Sequence, residues 1–162
     1  MLREPKLRLP KYLVSSERLH IGQLLVQLTR LTQQELFRRL VAAGYEEARV
    51  AHTHVTAYIK ADGSRLTELA AAARMTLPAM SELVDDLQRL GVVERQPDPS
   101  DGRAKLICLT DAGWEAIRIA QEILREIEAD YARRVGERRF EQAAQTLDAL
   151  LRSLSETPRS EP

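Results

Sequence analysis

The run at 101–110 (Asp-Gly-Arg-Ala-Lys-Leu-Ile-Cys-Leu-Thr) constrains the fold of this chain more than any other feature. Its second half indicates a β-strand, and the turn-forming residues of 97–102 lie directly before that strand. A short stretch at 92–95 (Val-Val-Glu-Arg) supplies the other strand of a hairpin, and Thr110 is suited to cap a following helix. Because two short helical patterns precede the hairpin, the order predicts a winged helix-turn-helix.

Helical periodicity predicts six helices around this hairpin. In the fourth helix the apolar stripe follows Met80, Val84 and Leu87, which leaves the opposite side polar. The fold class is therefore mainly α with a small β-hairpin. The predicted helices are 16–41, with Ser16 as cap and Gly44 as end; 47–59, with Val55, Tyr58 and Ile59 inward; 68–74, begun by Thr67; 77–90, capped by Thr76 and ended by Gly91; one that follows Thr110 and contains Trp114; and 137–154.

Composition describes an ordinary globular chain of 162 residues, with 44% hydrophobic and 30% charged residues. Lysine and arginine number 24 and so do the acidic residues, which gives no net charge. Neutrality is unusual for a nucleic-acid-binding domain, which is generally basic. The lone cysteine excludes an internal disulfide framework. No stretch has the apolar length of a membrane span or the pattern of a signal peptide, so we expect a cytoplasmic protein.

Residues 64–110 resemble the multiple-antibiotic-resistance regulator (MarR) family of bacterial transcription factors. The family's wing pattern is Asp-x-Arg, five residues and Leu-Thr, and all of it is present. The order and spacing of the elements make the resemblance specific. The matching stretches are Arg65-Leu66-Thr67-Glu68-Leu69-Ala70, Leu87-Gln88-Arg89-Leu90-Gly91-Val92-Val93-Glu94-Arg95, and Asp101-Gly102-Arg103 with Leu109-Thr110 and Gly113.

The resemblance implies roles for individual residues. Arg103 would enter the minor groove at the tip of the wing, and Asp101 would orient either Arg103 or Arg95 by ion pairing. Arg95 and Lys105 would lie near phosphates. The recognition helix would approach the bases of double-stranded DNA with its N-terminal part. The implied DNA-binding set is Arg65, Thr76, Pro78, Ala79, Ser81, Glu82, Arg95, Asp101, Arg103 and Lys105.

The fourth helix departs from the family pattern, in which a basic residue often stands at the position of Glu82 and another near Asp86. The outward side carries Glu82, Asp85 and Asp86 against Arg89 alone. Over 64–110 six basic residues face seven acidic ones. We therefore expect weak non-specific DNA binding with a shallow salt dependence. Two interpretations of Glu82 remain: a solvated carboxylate, or an acceptor for the amino group of cytosine.

Three histidines invite a metal interpretation, but His52 and His54 point in nearly opposite directions on a helix. We therefore predict no metal and no cofactor. The polar residues at the head of the second predicted helix have two interpretations. They are either half-buried packing groups or the lining of a pocket for a small aromatic or anionic effector, such as many family members bind. Cys108 is interpreted as a small apolar filler in the second wing strand. The candidate pocket residues are His20, Arg49, His52, Tyr58 and Trp114.

The long first helix and the two terminal helices carry more apolar surface than a small winged lobe needs. A twofold partner would cover that surface, so we predict a homodimer on a pseudo-palindromic operator. Within a single MarR-like domain at 1–162, 14–60 and 111–155 would dimerise and 64–110 would hold the DNA. The resulting hypothesis is a repressor released by a small ligand. The alternative is a winged-helix protein-interaction module without DNA binding. The sequence contains no recognisable set of catalytic residues, so we do not expect an enzyme.

Overall fold

The structure is a computed structural model that describes residues 19–156. Helices and strands follow one another in an order that confirms the predicted winged helix-turn-helix. None of the helices in this part of the chain has the length and hydropathy needed to cross a bilayer. The elements are α1 (Ile21–Ala42), α2 (Thr53–Thr56), β1 (Ser64–Arg65), α3 (Leu66–Ala72), α4 (Leu77–Arg89), β2 (Val93–Asp98), β3 (Asp101–Leu109), α5 (Asp111–Val135) and α6 (Glu137–Glu156).

The three strands form one antiparallel sheet in the order β1-β3-β2. In the central strand β3, Ile107 pairs with Ser64 of β1, and Leu109 pairs with Val93 of β2. The sequence predicted the hairpin of β2 and β3 but not β1. Two residues are too short a run to show a strand period, and β1 becomes recognisable only by its pairing with β3.

The wing is longer and its turn tighter than the sequence predicted. Strand pairing continues to Asp98 and Asp101, so only Pro99 and Ser100 of the turn-forming run 97–102 make the turn. The register shifts between Pro97 and Asp98. Proline lacks the backbone N–H that a strand partner needs, which explains why this stretch resembled a loop in the sequence.

Two apolar clusters hold the described chain together, each made by helices that bury one face. One lies inside the winged lobe, and the other joins α1 to α5. Burying one large apolar side chain contributes about 1.5–3 kcal/mol, so each cluster is the main local source of stability. The winged-lobe cluster is Val55, Leu69, Ala70, Met80, Val84, Leu87, Val93 and Ile107; the second is Leu36, Leu40, Ile123 and Ile127.

Two threonines begin helices, as their positions in the sequence predicted. The Thr76 hydroxyl accepts the backbone N–H of Ala79 at the start of α4, at 3.4 Å. The Thr110 hydroxyl accepts the backbone N–H of Gly113 at the start of α5, at 3.0 Å. Caps of this kind contribute about 1 kcal/mol each and fix where a helix begins.

Two predicted helix starts are wrong. The first helix begins at Ile21 after His20, not at the predicted residue 16, and Ser16 itself lies outside the described residues. The third helix begins at Leu66, directly after the strand, instead of after Thr67. In both cases the chain enters the helix from an extended residue that offers no side-chain cap, a start that composition alone does not mark.

The predicted second helix is shorter than 47–59. A 3-10 turn at Val50–His52 leads into the single helical turn of α2. Val55 is fully buried as predicted, whereas Tyr58 is 47% exposed and does not point inward. This segment packs against the winged lobe through Val55 and the partly buried Ile59, and not through a repeating helical face.

The start of α5 is wedged against the sheet. A Cβ atom added to Gly113 would lie 2.1 Å from the carbonyl oxygen of Val92, so only glycine fits at this crossing. The Thr110 hydroxyl also donates to the carbonyl oxygen of Gly91, at 2.6 Å. These contacts join the long helix α5 rigidly to the winged lobe. The neighbouring Trp114 is 46% exposed and lies outside both cores.

Candidate nucleic-acid interface

Helix α4 presents one face to solvent because its other face is locked into the core. Met80 and Val84 are fully buried. The first turn of the opposite face carries the short side chains of Pro78 and Ser81, followed by the exposed Glu82. A helix with small residues at its N-terminal end can approach the floor of a major groove closely. The predicted recognition residues Thr76, Pro78, Ala79, Ser81 and Glu82 therefore share one end of one helix.

Arg95 of β2 reaches α4 instead of standing free. Its guanidinium donates to the Asp85 carboxylate at 2.7 Å and to the side-chain oxygen of Gln88. The Arg95 side chain is 25% exposed and that of Asp85 is 61% exposed. An ion pair this open contributes at most about 1 kcal/mol, so its main effect is to fix the wing strand against the recognition helix.

Asp86 does not face outward, contrary to the sequence prediction. Its side chain is only 17% exposed and points toward the segment before α2. It contacts the guanidinium of Arg49, the guanidinium of Arg89 at 2.9 Å and Nε2 of His52 at 2.9 Å. Arg89 also pairs with Glu47 at 2.7 Å. The charge of Asp86 is thus neutralised within the protein.

The base of the helix-turn-helix is tied to the wing tip by Arg65 and Asp98. The Arg65 guanidinium donates to Asp98 at 2.8 Å, and Asp98 is 6% exposed. Asp98 also accepts the backbone N–H and the hydroxyl of Ser100, at 2.8 and 2.7 Å. The bonds from Ser100 and then from Arg65 lower the pKa of Asp98 to about 2. This carboxylate was not predicted from the sequence, although Asp before Pro-Ser is the usual pattern of a side-chain-stabilised turn.

The ion pairs predicted for Asp101 are absent. Its carboxylate accepts the backbone N–H of Arg103 at 3.1 Å and lies 4.0 Å from Arg65, while Arg95 pairs with α4. Within residues 19–156 the side chains of Arg103 and Lys105 have no ion-pair partner, and both are exposed. The wing therefore presents two available cations on a strand that other ion pairs hold in place.

A cavity of about 440 Å3 lies where α1 and α5 meet the winged lobe. Of the candidate pocket residues, Arg49 and His52 line this cavity, whereas His20, Tyr58 and Trp114 do not. His20 precedes α1, and the other two side chains are about half exposed. Most of the wall is apolar, and its charged and histidine side chains come from the segment between α1 and α2. The wall includes Leu36, Phe37, Leu40, Glu46, Glu47, Thr56, Leu87, Leu90, Val92, Ala116 and Ala120.

His52 connects the cavity wall to the recognition helix. Its Nδ1 accepts the backbone N–H of Arg49 at 3.3 Å, so Nε2 carries the proton and donates to Asp86. Burial lowers the pKa of His52, and the positive charges of Arg49 and Arg89 lower it further. The ring is therefore a neutral, hydrogen-bonded bridge between the cavity and α4.

Cys108 lies in β3 opposite Glu94 and is partly buried. A Cβ atom on Gly63 would lie 2.7 Å from the Cys108 sulfur, so the thiol fills the space that this glycine leaves. Burial raises the pKa of the Cys108 thiol, and the carboxylates of Glu94 and Asp62 raise it further. A thiol with a raised pKa reacts slowly with oxidants, in agreement with the prediction of a small packing residue.

Comparisons with known proteins identify similar chains. A family model described as MarR family matches residues 56–104. YdcH, an uncharacterized HTH-type transcriptional regulator of Bacillus subtilis (strain 168), is 31% identical over 111 residues, which are 66% of this chain and 74% of that protein. A mutant of S. aureus MepR aligns with a TM-score of 0.65 and 25% identity over 84% of this chain and 99% of the other. MepR bound to ethidium bromide aligns with a TM-score of 0.56 and 25% identity over 84% and 97%.

Removing the charge of Asp98 should destabilise the protein in a pH-dependent way. Since the pKa of Asp98 is lower in the folded chain, the carboxylate stabilises the fold above its ordinary value of 3.8 and loses this effect as the pH falls toward about 2. We expect Asp98→Asn to lower the melting temperature near neutral pH. The gap to the wild type should shrink as the pH falls below about 4. Asp62→Asn, at an exposed turn, is the control and should give no such trend in thermal denaturation.

Proposed function

Because the chain belongs to the MarR family of transcriptional regulators, we propose that it is a homodimeric, sequence-specific DNA-binding repressor released by a small ligand. The observation that carries this proposal is the wing, where Arg103 and Lys105 are available cations on an anchored strand. The proposal gives the chain no catalytic role. It places the protein in the cytoplasm, where it can reach DNA.

The wing is suited to hold a DNA backbone because ion pairs within the protein fix its position. Arg65 is bound to Asp98, and Arg95 is bound to Asp85, so these two arginines hold the wing in position. We propose that Arg103 enters the minor groove, where the negative potential attracts a guanidinium. Lys105, two residues along the same strand and hence on the same face, would lie near a phosphate.

Arg103→Ala tests the DNA-binding part of the proposal. We expect the dissociation constant for the DNA upstream of the protein's own gene to rise about tenfold or more, because the variant loses its only groove-directed guanidinium on the wing. Fluorescence anisotropy at fixed salt measures this, with a scrambled duplex for comparison. The exposed Arg125 on α5 supplies the matched control, Arg125→Ala, which should bind like the wild type. Unchanged binding by Arg103→Ala would favour the protein-interaction alternative.

Dimerisation is supported by apolar side chains that the described fold leaves uncovered. They lie at the start of α1 and at the end of α6, away from the core positions Leu36 and Leu40. Exposed apolar surface on this scale is typical of an interface. We propose that 14–60 and 111–155 pair around a twofold axis, which would place two recognition helices about one DNA turn (~34 Å) apart. The residues are Ile21, Leu24, Leu25, Val26 and Leu28 on α1, and Leu150, Leu151 and Leu154 on α6.

Charges placed on this surface should separate the subunits. We expect the wild type to have twice the chain mass of 18.3 kDa, and the double variant Leu24→Glu/Leu28→Glu to have the mass of one chain, by light scattering after gel filtration. Both leucines are exposed, so the variant keeps the α1–α5 core and its circular dichroism. Leu77→Glu, at an exposed apolar position in the winged lobe and outside both proposed dimerisation ranges, is the control and should stay dimeric. A dimeric double variant would contradict the proposed interface.

The cavity supports release by a ligand. Its volume of about 440 Å3 lies within the range of small-molecule sites, and its walls come from both the winged lobe and the α1–α5 pair. The Arg49 guanidinium on its wall pairs with Asp86 of the recognition helix. We propose that a small aromatic anion takes Arg49 away from Asp86 and thereby changes the position of α4. Such a ligand acts only if it binds the two arrangements unequally.

Benzoate is a probe with this chemistry. We expect millimolar benzoate to raise the melting temperature and to weaken operator binding, because it binds the DNA-free arrangement better. Arg49→Gln should abolish both effects, and Arg125→Gln should retain them. Thermal shift and anisotropy with added benzoate measure the two effects. Ethidium, which MepR binds, tests whether an aromatic cation is accepted instead. Benzoate effects that persist in Arg49→Gln would contradict the role of Arg49.

A further inference from the structure

We propose that Glu82 reads a cytosine in each half of the operator, an inference that rests on the proposed DNA-binding function. Glu82 lies in the second turn of α4 and is exposed. The buried residues Met80 and Val84 on either side of it in sequence fix the rotation of the helix. Its near neighbours Pro78 and Ser81 are short, so the Glu82 side chain extends beyond them at the end of the helix that would enter the groove.

The charge environment of α4 distinguishes Glu82 from the other two acidic residues of the helix. Asp85 is paired with Arg95 at 2.7 Å, and Asp86 contacts Arg49, Arg89 and His52. Both aspartates are therefore neutralised within the protein. The Glu82 carboxylate has neither an ion pair nor a hydrogen bond to any side chain within residues 19–156. The recognition helix thus presents one uncompensated negative charge, not the three that the sequence suggested.

A carboxylate accepts hydrogen bonds and cannot donate them, which limits what it can bind in a major groove. Guanine presents two acceptors, and thymine presents an acceptor and a methyl group, so a carboxylate is repelled or unsatisfied by both. Adenine presents a donor beside the acceptor N7. Cytosine presents its N4 amino donor without that neighbouring acceptor. The chemistry of Glu82 therefore selects cytosine and penalises the other three bases.

An unpaired carboxylate near DNA weakens binding to every sequence unless a base contact offsets the repulsion from phosphates. Arg103 and Lys105 supply attraction at the wing, so Glu82 adds discrimination while the wing adds affinity. This division gives specificity partly by rejecting wrong sequences. In a twofold dimer each copy would contribute one Glu82, which places one selected cytosine at symmetric positions in the two half-sites.

The test begins with selection of bound duplexes from a random pool by the wild-type protein. The dissociation constant is then measured with the symmetric C·G pairs replaced by each other pair. We expect the wild type to lose about tenfold in affinity on replacement of one such pair. Glu82→Ala should bind all four versions about equally. Glu82→Gln should gain affinity for adenine at that position, because an amide can donate to N7 and accept from the amino group.

Glu94→Gln is the matched control, since it removes one exposed carboxylate from the same lobe but from the wing strand. It should retain the cytosine preference of the wild type. If Glu82→Ala and Glu82→Gln strengthen binding to every duplex by the same factor, Glu82 only repels the DNA backbone and this inference is overturned, while sequence-specific binding stands. The role of Glu82 is equally overturned if the selected sequence contains no cytosine whose contribution to affinity is lost in Glu82→Ala. If the wild type selects no common sequence, the proposed function fails together with the role of Glu82.

Discussion

The burial of one face of α4 is the contact on which the rest of the interface depends. Met80, Val84 and Leu87 pack into the core of the winged lobe, where Val93 and Ile107 of the sheet meet them. Because a helix has a fixed rotation per residue, locking these three positions decides the direction of every other side chain on α4. The outward direction of the small first turn and of Glu82 follows from this packing arrangement.

Ion pairs then connect the rigid elements to one another. Asp85 joins α4 to the wing through Arg95, and Asp98 joins the wing tip to Arg65 at the start of α3. Exposed pairs of this kind add little stability, so their value lies in geometry. These ion pairs neutralise part of the charge of the winged lobe. Among the charges that remain exposed, the cations of Arg103 and Lys105 suit binding to DNA.

The cavity lies between two cores that share no residue. One core belongs to the winged lobe and the other to the α1–α5 pair, and the segment with Arg49 and His52 passes between them. Through His52, the wall of the cavity is hydrogen-bonded to Asp86 on the recognition helix. A structural change in the cavity can therefore reach α4 through His52 and its hydrogen bond to Asp86. This arrangement is the physical basis for proposing control by a ligand.

The sequence by itself determined the parts of this protein that depend on local chemistry. The threonine caps at Thr76 and Thr110, the apolar stripe of α4 and the wing motif around Arg103 are each read within a few residues. Tertiary structure decided the features that need partners distant in the chain: the two-residue strand at Ser64, the inward turn of Asp86 toward Arg49 and His52, and the pairing of Arg65 with Asp98. A charged side chain has the same appearance in the sequence whether or not it is paired. Only the fold shows which charges neutralise each other and which, like that of Glu82, remain available.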